Sequence, residues 1–107
     1  MIENNNNYKS FRMTEYAVYF VNSDDKIFSV SMGRSGALNF SDSRMPIHIG
    51  YEYEARNVVK LLKILIPSYR IFITEFTIES TIPDIQKNGK VDARIIYDSF
   101  EEDVCET

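Results

Sequence analysis

Residues 14–22 read TEYAVYFVN, a run of aromatic and β-branched residues that predicts a β-strand. Its apolar side chains alternate between two faces: Tyr16, Val18 and Phe20 on one, Ala17, Tyr19 and Val21 on the other. A strand that is apolar on both faces lies at the centre of a sheet or is covered on both sides. The stretch therefore predicts a protein built around one central strand.

Two hairpins are predicted around this strand. The first joins it to residues 26–32, KIFSVSM, through the turn-forming residues 23–25. The second joins residues 69–80, YRIFITEFTIES, to residues 91–98, VDARIIYD, with Asn88-Gly89 as a type I′ turn signature between them. In residues 91–98, strict alternation would place Val91, Ala93, Ile95 and Tyr97 on one face.

A helix is predicted between the hairpins, from about residue 51 to residue 66. Apolar residues recur there at helical spacing: Tyr51, Ala55, Val58, Val59, Leu62, Leu65 and Ile66. Glu52 precedes Arg56 by four positions, which is the favourable order for an ion pair, and Pro67 ends the helix. The apolar stripe predicts that this helix packs on a sheet.

These elements predict an α+β fold, in which two hairpins form a four-stranded, mainly antiparallel sheet with the helix on one face. Residues 33–44 contain Gly33, Gly36, Asn39 and Asp42 and are interpreted as a loop that holds at most one short element. Residues 1–12, with an Asn run, are predicted to be a flexible arm, residues 13–98 a single domain, and residues 99–107 an acidic tail.

The net charge of −4 is concentrated at one end of the sequence. Without the five acidic residues of 98–107, the chain holds 11 acidic and 12 basic residues, so the rest carries +1. Glu101, Glu102 and Asp103 are interpreted as a solubilising tail or as a peptide that docks on a partner. Nucleic-acid binding is not expected, because no Lys/Arg stripe is present to neutralise phosphates.

Cofactor, metal and nucleophilic chemistry are not expected. One histidine and one cysteine are too few for zinc or iron–sulfur ligation. A catalytic set would have to use His48, which the sequence places before the helix as a solvent-facing or capping residue. We therefore expect a protein that is not an enzyme.

The best candidate for small-ligand binding is the predicted loop. Arg34, Ser35 and Gly36, with Arg44 at the other end of that loop, are groups that bind an anion or a nucleotide phosphate. The spacing lacks the ending of a Walker motif and the pattern of a dinucleotide fingerprint.

The compartment is predicted from two further features. The first residues, MIENNNNYKSF, do not have the basic-then-apolar order of a secretory signal, and no long apolar stretch predicts a membrane span. Cys105 is the single cysteine, so an internal disulfide is impossible, which suits a reducing compartment. We expect a cytoplasmic protein with no membrane association.

The leading functional hypothesis is a protein–protein interaction module, because one helix cannot cover both faces of the sheet. The expected contact residues are Tyr16, Ala17, Tyr19 and Val21, meeting a protein partner or a second copy in a homodimer. Such a module would be regulatory or inhibitory, and a phage-type antagonist of a host enzyme or defence complex fits. The alternatives are a ligand-binding module that uses the 33–44 loop, and a nucleic-acid mimic.

Overall fold

A computed structural model describes residues 9–82 and 90–101. In that part of the chain, five strands form one antiparallel sheet, and one helix packs on it. In chain order the elements are β1 (Lys9–Val21), β2 (Ile27–Met32), β3 (Leu38–Asp42), α1 (Glu52–Leu65), β4 (Arg70–Ile82) and β5 (Lys90–Asp98). The strand order across the sheet is β3-β2-β1-β4-β5, so the strand predicted to be central is central.

The predicted α+β class is confirmed, but the number of strands is five instead of four. The additional strand, β3, lies within the segment that the sequence predicted to be a loop. Gly36 has φ +85° and closes a tight turn after β2, and β3 then pairs with β2 from Leu38 to Asp42. β3 is a short edge strand with no fully buried residue, and its apolar alternation is limited to Leu38 and Phe40, which is too short to identify a strand by itself.

The ends of the folded region also differ from the predicted boundaries. β1 begins at Lys9, so residues 9–12 of the predicted arm are paired with β4. At the other end, residues 99–101 form a helical turn, and Ser99 Oγ accepts a 2.9 Å hydrogen bond from the backbone N–H of Ile71. Residues 1–8, the Asn88-Gly89 turn and residues 102–107 lie outside the described residues.

The core lies between α1 and one face of the sheet, which we call the helix face. The helix buries Ala55, Val58, Val59 and Leu62, the middle of the predicted stripe, whereas Tyr51 and Leu65 at its ends are exposed. On the sheet side the core consists of buried residues from three strands: Val18, Phe20, Val30, Ile71 and Ile73. The long-range contacts of the core thus join α1 to the centre of the sheet.

A difference in length leaves part of the sheet beyond the helix. α1 has 14 residues and is about 21 Å long, at about 1.5 Å per residue. β1 and β4 have 13 residues each and pair over their whole length, about 43 Å at about 3.3 Å per residue. We call residues 11–15, 74–79 and 91–95 the distal half of the sheet, because the helix does not cover it.

A partly buried ion pair joins the last strand to β4. The Arg70 guanidinium donates from Nη2 to Asp98 Oδ2 at 2.5 Å and from Nε to both carboxylate oxygens at 3.1 Å. The Asp98 side chain is 4% exposed, and its Oδ1 also accepts a hydrogen bond from the backbone N–H of Phe100. The hydrogen bonds from Arg70 hold the pKa of the Asp98 carboxyl below its ordinary value of 3.8.

Replacing Leu62 with Ala tests the helix packing. Leu62 is 1% exposed, so we expect Leu62→Ala to lower the free energy of unfolding by about 2–5 kcal/mol, as measured in urea. Ile64 is 75% exposed two positions away, and Ile64→Ala should cost less than about 0.5 kcal/mol. Equal losses in the two variants would contradict the assigned helix face.

Replacing Asp98 with Asn tests the ion pair through its pH dependence. At pH 7 we expect Asp98→Asn to lower the free energy of unfolding by about 1.5–3 kcal/mol, because a charged hydrogen-bonding partner of Arg70 is removed. A carboxyl whose pKa is depressed in the folded state stabilises the fold above its unfolded pKa and loses that contribution as pH falls. The difference between the two proteins in urea unfolding should therefore shrink below about pH 4. If the difference in unfolding free energy between the two proteins stayed constant down to pH 2.5, the assigned role of the Asp98 carboxylate would be contradicted.

Candidate interaction surface

The predicted anion-binding residues are not assembled into one site. Arg34, Ser35 and Gly36 lie in the turn that precedes β3, where Gly36 N–H donates to Gly33 C=O at 3.0 Å. Arg44 follows the opposite end of that strand, about 16 Å away at about 3.3 Å per residue. Its guanidinium donates to the Asp42 carboxylate, with Nε 3.0 Å from Oδ1. The structure therefore separates Arg44 from the other three residues, and anion binding by the turn that holds Arg34, Ser35 and Gly36 stays a prediction.

The four residues predicted to form an interface lie on different faces. Tyr16 is half-buried on the helix face, where it packs against the core, and burial is the main cause of its raised pKa. Ala17, Tyr19 and Val21 lie on the opposite face, which we call the outer face. Ala17 and Tyr19 are buried within the chain itself, and Tyr19 stacks on Phe72 with ring centroids 5.1 Å apart.

A chain segment that the sequence did not single out crosses this part of the outer face. Residues 43–50, which we call the strap, connect β3 to α1. The backbone N–H of Ile47 donates to Ser29 Oγ at 2.7 Å, and Ile49 forms an antiparallel bridge with Tyr16. The buried residues Ala17, Tyr19 and Ser29 lie along this path, so the strap acts as the second cover that the central strand needed.

His48 anchors the far end of the strap on the outer face. Its Nδ1 lies 2.7 Å from Glu15 Oε1, and its ring stacks on Phe76 at 5.2 Å between centroids. The Glu15 and Phe76 positions are directly opposite each other in the β1–β4 register. The prediction that His48 faces solvent is right in part, since its side chain is 39% exposed, but the residue also contacts the sheet.

Beyond His48, the outer face of the distal half is apolar and uncovered by any described residue. Next to Phe11, which lies on the same face, the register places six further apolar side chains from three neighbouring strands side by side: Met13, Phe76, Ile78, Val91, Ala93 and Ile95. Met13, Val91 and Ile95 are between 47% and 61% exposed. We call these six residues the distal patch.

The helix face of the same three strands is polar and charged. Arg12 pairs with Glu79 at 3.0 Å, and Arg94 pairs with Glu75 at 2.8 Å. Thr14 is exposed on this face, in register with Thr77. The distal half is thus a three-stranded amphipathic sheet, in which the helix face is solvated and the outer face carries mainly apolar side chains.

Part of the distal patch could be predicted from the sequence. In residues 75–79 of the sequence, Phe76 and Ile78 alternate with Glu75 and Glu79, which is typical of a strand with one solvated face, and Val91, Ala93 and Ile95 were predicted to share a face. A register shift between Ile73 and Thr74 alters the last strand, because Tyr97 pairs with Ile73 on the helix face while Ile95 pairs with Thr74 on the outer face. Placing Tyr97 with Val91, Ala93 and Ile95 was therefore wrong.

The structure also shows clefts and acidic residues away from the distal patch. A cleft of about 360 Å³ lies where the strap enters α1, lined by Met32, His48, Tyr53 and Glu54 among others. It includes none of the residues predicted to bind an anion. Glu101 is exposed at the end of the last helical turn, and the other two residues of the predicted docking tail, Glu102 and Asp103, lie outside the described residues.

The described residues contain neither a cluster of metal ligands nor a helix suited to crossing a membrane. Within residues 9–82 and 90–101, no three His, Cys, Asp or Glu side chains are grouped as metal ligands would be. In the same ranges, no helix has the length and apolar composition needed to span a bilayer. Comparison of the chain with models of known protein families, with curated proteins and with solved structures gives no match.

Replacing Tyr19 with Glu tests whether the strap-covered region is part of the core of the monomer. Tyr19 is 8% exposed, so a carboxylate there is buried without a partner, and we expect the free energy of unfolding to fall by more than about 3 kcal/mol. Val91→Glu places the same charge on the exposed part of the outer face and should change it by less than about 0.5 kcal/mol. A folded, fully stable Tyr19→Glu variant in urea titration would contradict the described cover.

Proposed function

We propose that this protein is a non-enzymatic protein–protein interaction module that docks through the distal patch. The observation that carries the proposal is the contrast between the two faces of the distal half. One face is charged and ion-paired, whereas the other presents six apolar side chains, of which Met13, Val91 and Ile95 are about half exposed and Phe76 is stacked against His48. Contiguous exposed apolar surface of this kind is typical of interaction sites in proteins that do not aggregate.

The energetics favour docking on this patch. Burial of apolar surface contributes about 25 cal/mol per Å², and the side chains of Met13, Val91 and Ile95 are about half exposed or more. No charge has to be desolvated among the six patch residues, so the usual penalty for burying an ion is absent. Contact with the patch is therefore favourable without a compensating network of salt bridges.

The patch is also arranged before binding. β4 is paired on both sides through this region, with β1 and with β5. The ion pairs Arg94–Glu75 and Arg12–Glu79 join neighbouring strands across the helix face. Because the backbone of these paired strands is already ordered, binding does not have to order a loop, which lowers the entropic cost of association.

Docking without chemistry implies a regulatory role. The chain offers a flat, apolar sheet surface, which acts by covering part of another protein or by holding two proteins together. Inhibition of an enzyme by such coverage is the form of regulation that this proposal favours. No feature of the 33–44 segment supports the alternative of nucleotide binding, because Arg44 is engaged by Asp42 at the far end of β3 from Arg34.

Site-specific photo-cross-linking tests the proposal in cells that naturally make the protein. A photoreactive phenylalanine analogue at Val91 should form adducts with protein, because that side chain is exposed on the distal patch. The same analogue at Asp92, the next residue, reports on the opposite face and should give few adducts. Equal adduct formation at the two positions, or none at Val91, would contradict docking through the patch.

A further inference from the structure

We infer that the occupant of the distal patch is a second copy of this chain, packed outer face to outer face about a two-fold axis. The inference rests on the proposed function, because it identifies the partner of the same surface. In a two-fold dimer each copy presents the same residues to the other, so the surface has to be complementary to itself.

The charges around the patch satisfy that requirement. A two-fold contact brings charges on the surface close to like charges, which is unfavourable when they lack partners. The six patch residues are uncharged, and the neighbouring carboxylate of Glu15 is hydrogen-bonded within its own chain to His48 at 2.7 Å. The other charged residues described in the distal half are on the helix face, away from the contact: Arg12, Glu75, Glu79, Asp92 and Arg94.

The shapes of the side chains in the distal patch also meet the requirement that the surface be complementary to itself. Phe76 and Ala93 are directly opposite each other in the β4–β5 register, so a large ring stands beside the smallest side chain of the patch. A two-fold axis parallel to the strands and between these two positions seats the part of each Phe76 ring that His48 leaves exposed over Ala93 of the second copy. Two sheets stacked in this way lie about 10 Å apart, with their side chains interdigitated.

The size of the patch predicts the strength of the dimer. Three strands about 4.8 Å apart and five residues at about 3.3 Å give a flat footprint of about 14 by 17 Å. This footprint is smaller than the roughly 800 Å² that each partner buries in a standard stable complex. We therefore expect a dimer that forms in the micromolar range, and not a permanent one.

Sedimentation of the purified chain tests this inference. Between about 1 and 200 µM the wild-type protein should shift from monomer to dimer. A double variant, Val91→Glu with Ile95→Glu, places like charges in the contact and should remain monomeric over the same range, with an unchanged circular dichroism spectrum. Thr14→Glu is the matched control: it adds a charge to the exposed helix face of the same half and should dimerise like the wild type.

Cysteine cross-linking tests the placement of the axis independently of the charge variants. In a Cys105→Ser background, Ala93→Cys should give covalent dimers with a short bismaleimide, because the two copies of residue 93 lie near the axis. Asp92→Cys, on the other face, should not cross-link. A dimer in which Asp92→Cys reacts and Ala93→Cys does not would overturn the arrangement.

The remaining outcomes separate this inference from the proposed function. A wild-type chain that stays monomeric at 200 µM, or a dimer that survives Val91→Glu with Ile95→Glu, would overturn the second copy as the occupant. If the photoreactive analogue at Val91 still captures a different protein, docking through the patch stands with another partner. If that position captures nothing, both proposals fail.

Discussion

The architecture depends on one mismatch in length, between a helix of about 21 Å and a β1–β4 pair of about 43 Å. The helix stabilises the part of the sheet that it reaches, where Val58 and Leu62 are buried against Val18 and Ile73. Among the described residues, the rest of the sheet is held together by strand pairing, by cross-strand ion pairs and by the contact of His48 with Glu15 and Phe76. That constraint accounts for the ion pairs on one side of the distal half and for the uncovered apolar side chains on the other.

The two halves of the outer face differ in what covers their apolar side chains. Near the helix, the strap covers Ala17 and Tyr19 with polar anchors, since Ser29 Oγ accepts from Ile47 and His48 contacts Glu15. Further along the strands the strap has ended at the bridge between Ile49 and Tyr16. The distal patch begins where the strap ends, so its apolar side chains are left for a partner protein to cover. This arrangement supports the proposed docking role.

Much of the fold could be predicted from local patterns, whereas the candidate site could be predicted only in part. The helix was found from the spacing of Ala55, Val58, Val59 and Leu62, and four strands were found from alternation. The segment that contains β3 was interpreted as a loop because its apolar alternation is limited to Leu38 and Phe40 and turn-forming residues surround it. The predicted interface included Tyr19, since the sequence shows that a residue is apolar and not whether another segment of the same chain covers it.

By itself, the sequence determined the α+β class, the helix that buries Leu62, and the amphipathic alternation of residues 75–79 and 91–95, because these features depend on neighbours within a few positions. Only the tertiary structure decided that β1 pairs with β4, that the strap crosses the outer face, and that the register shift after Ile73 turns Tyr97 away from Ile95. The physical reason is that each of these depends on contacts between residues far apart in the chain. Such contacts assemble Met13, Phe76 and Val91 into one surface, although no local pattern relates them.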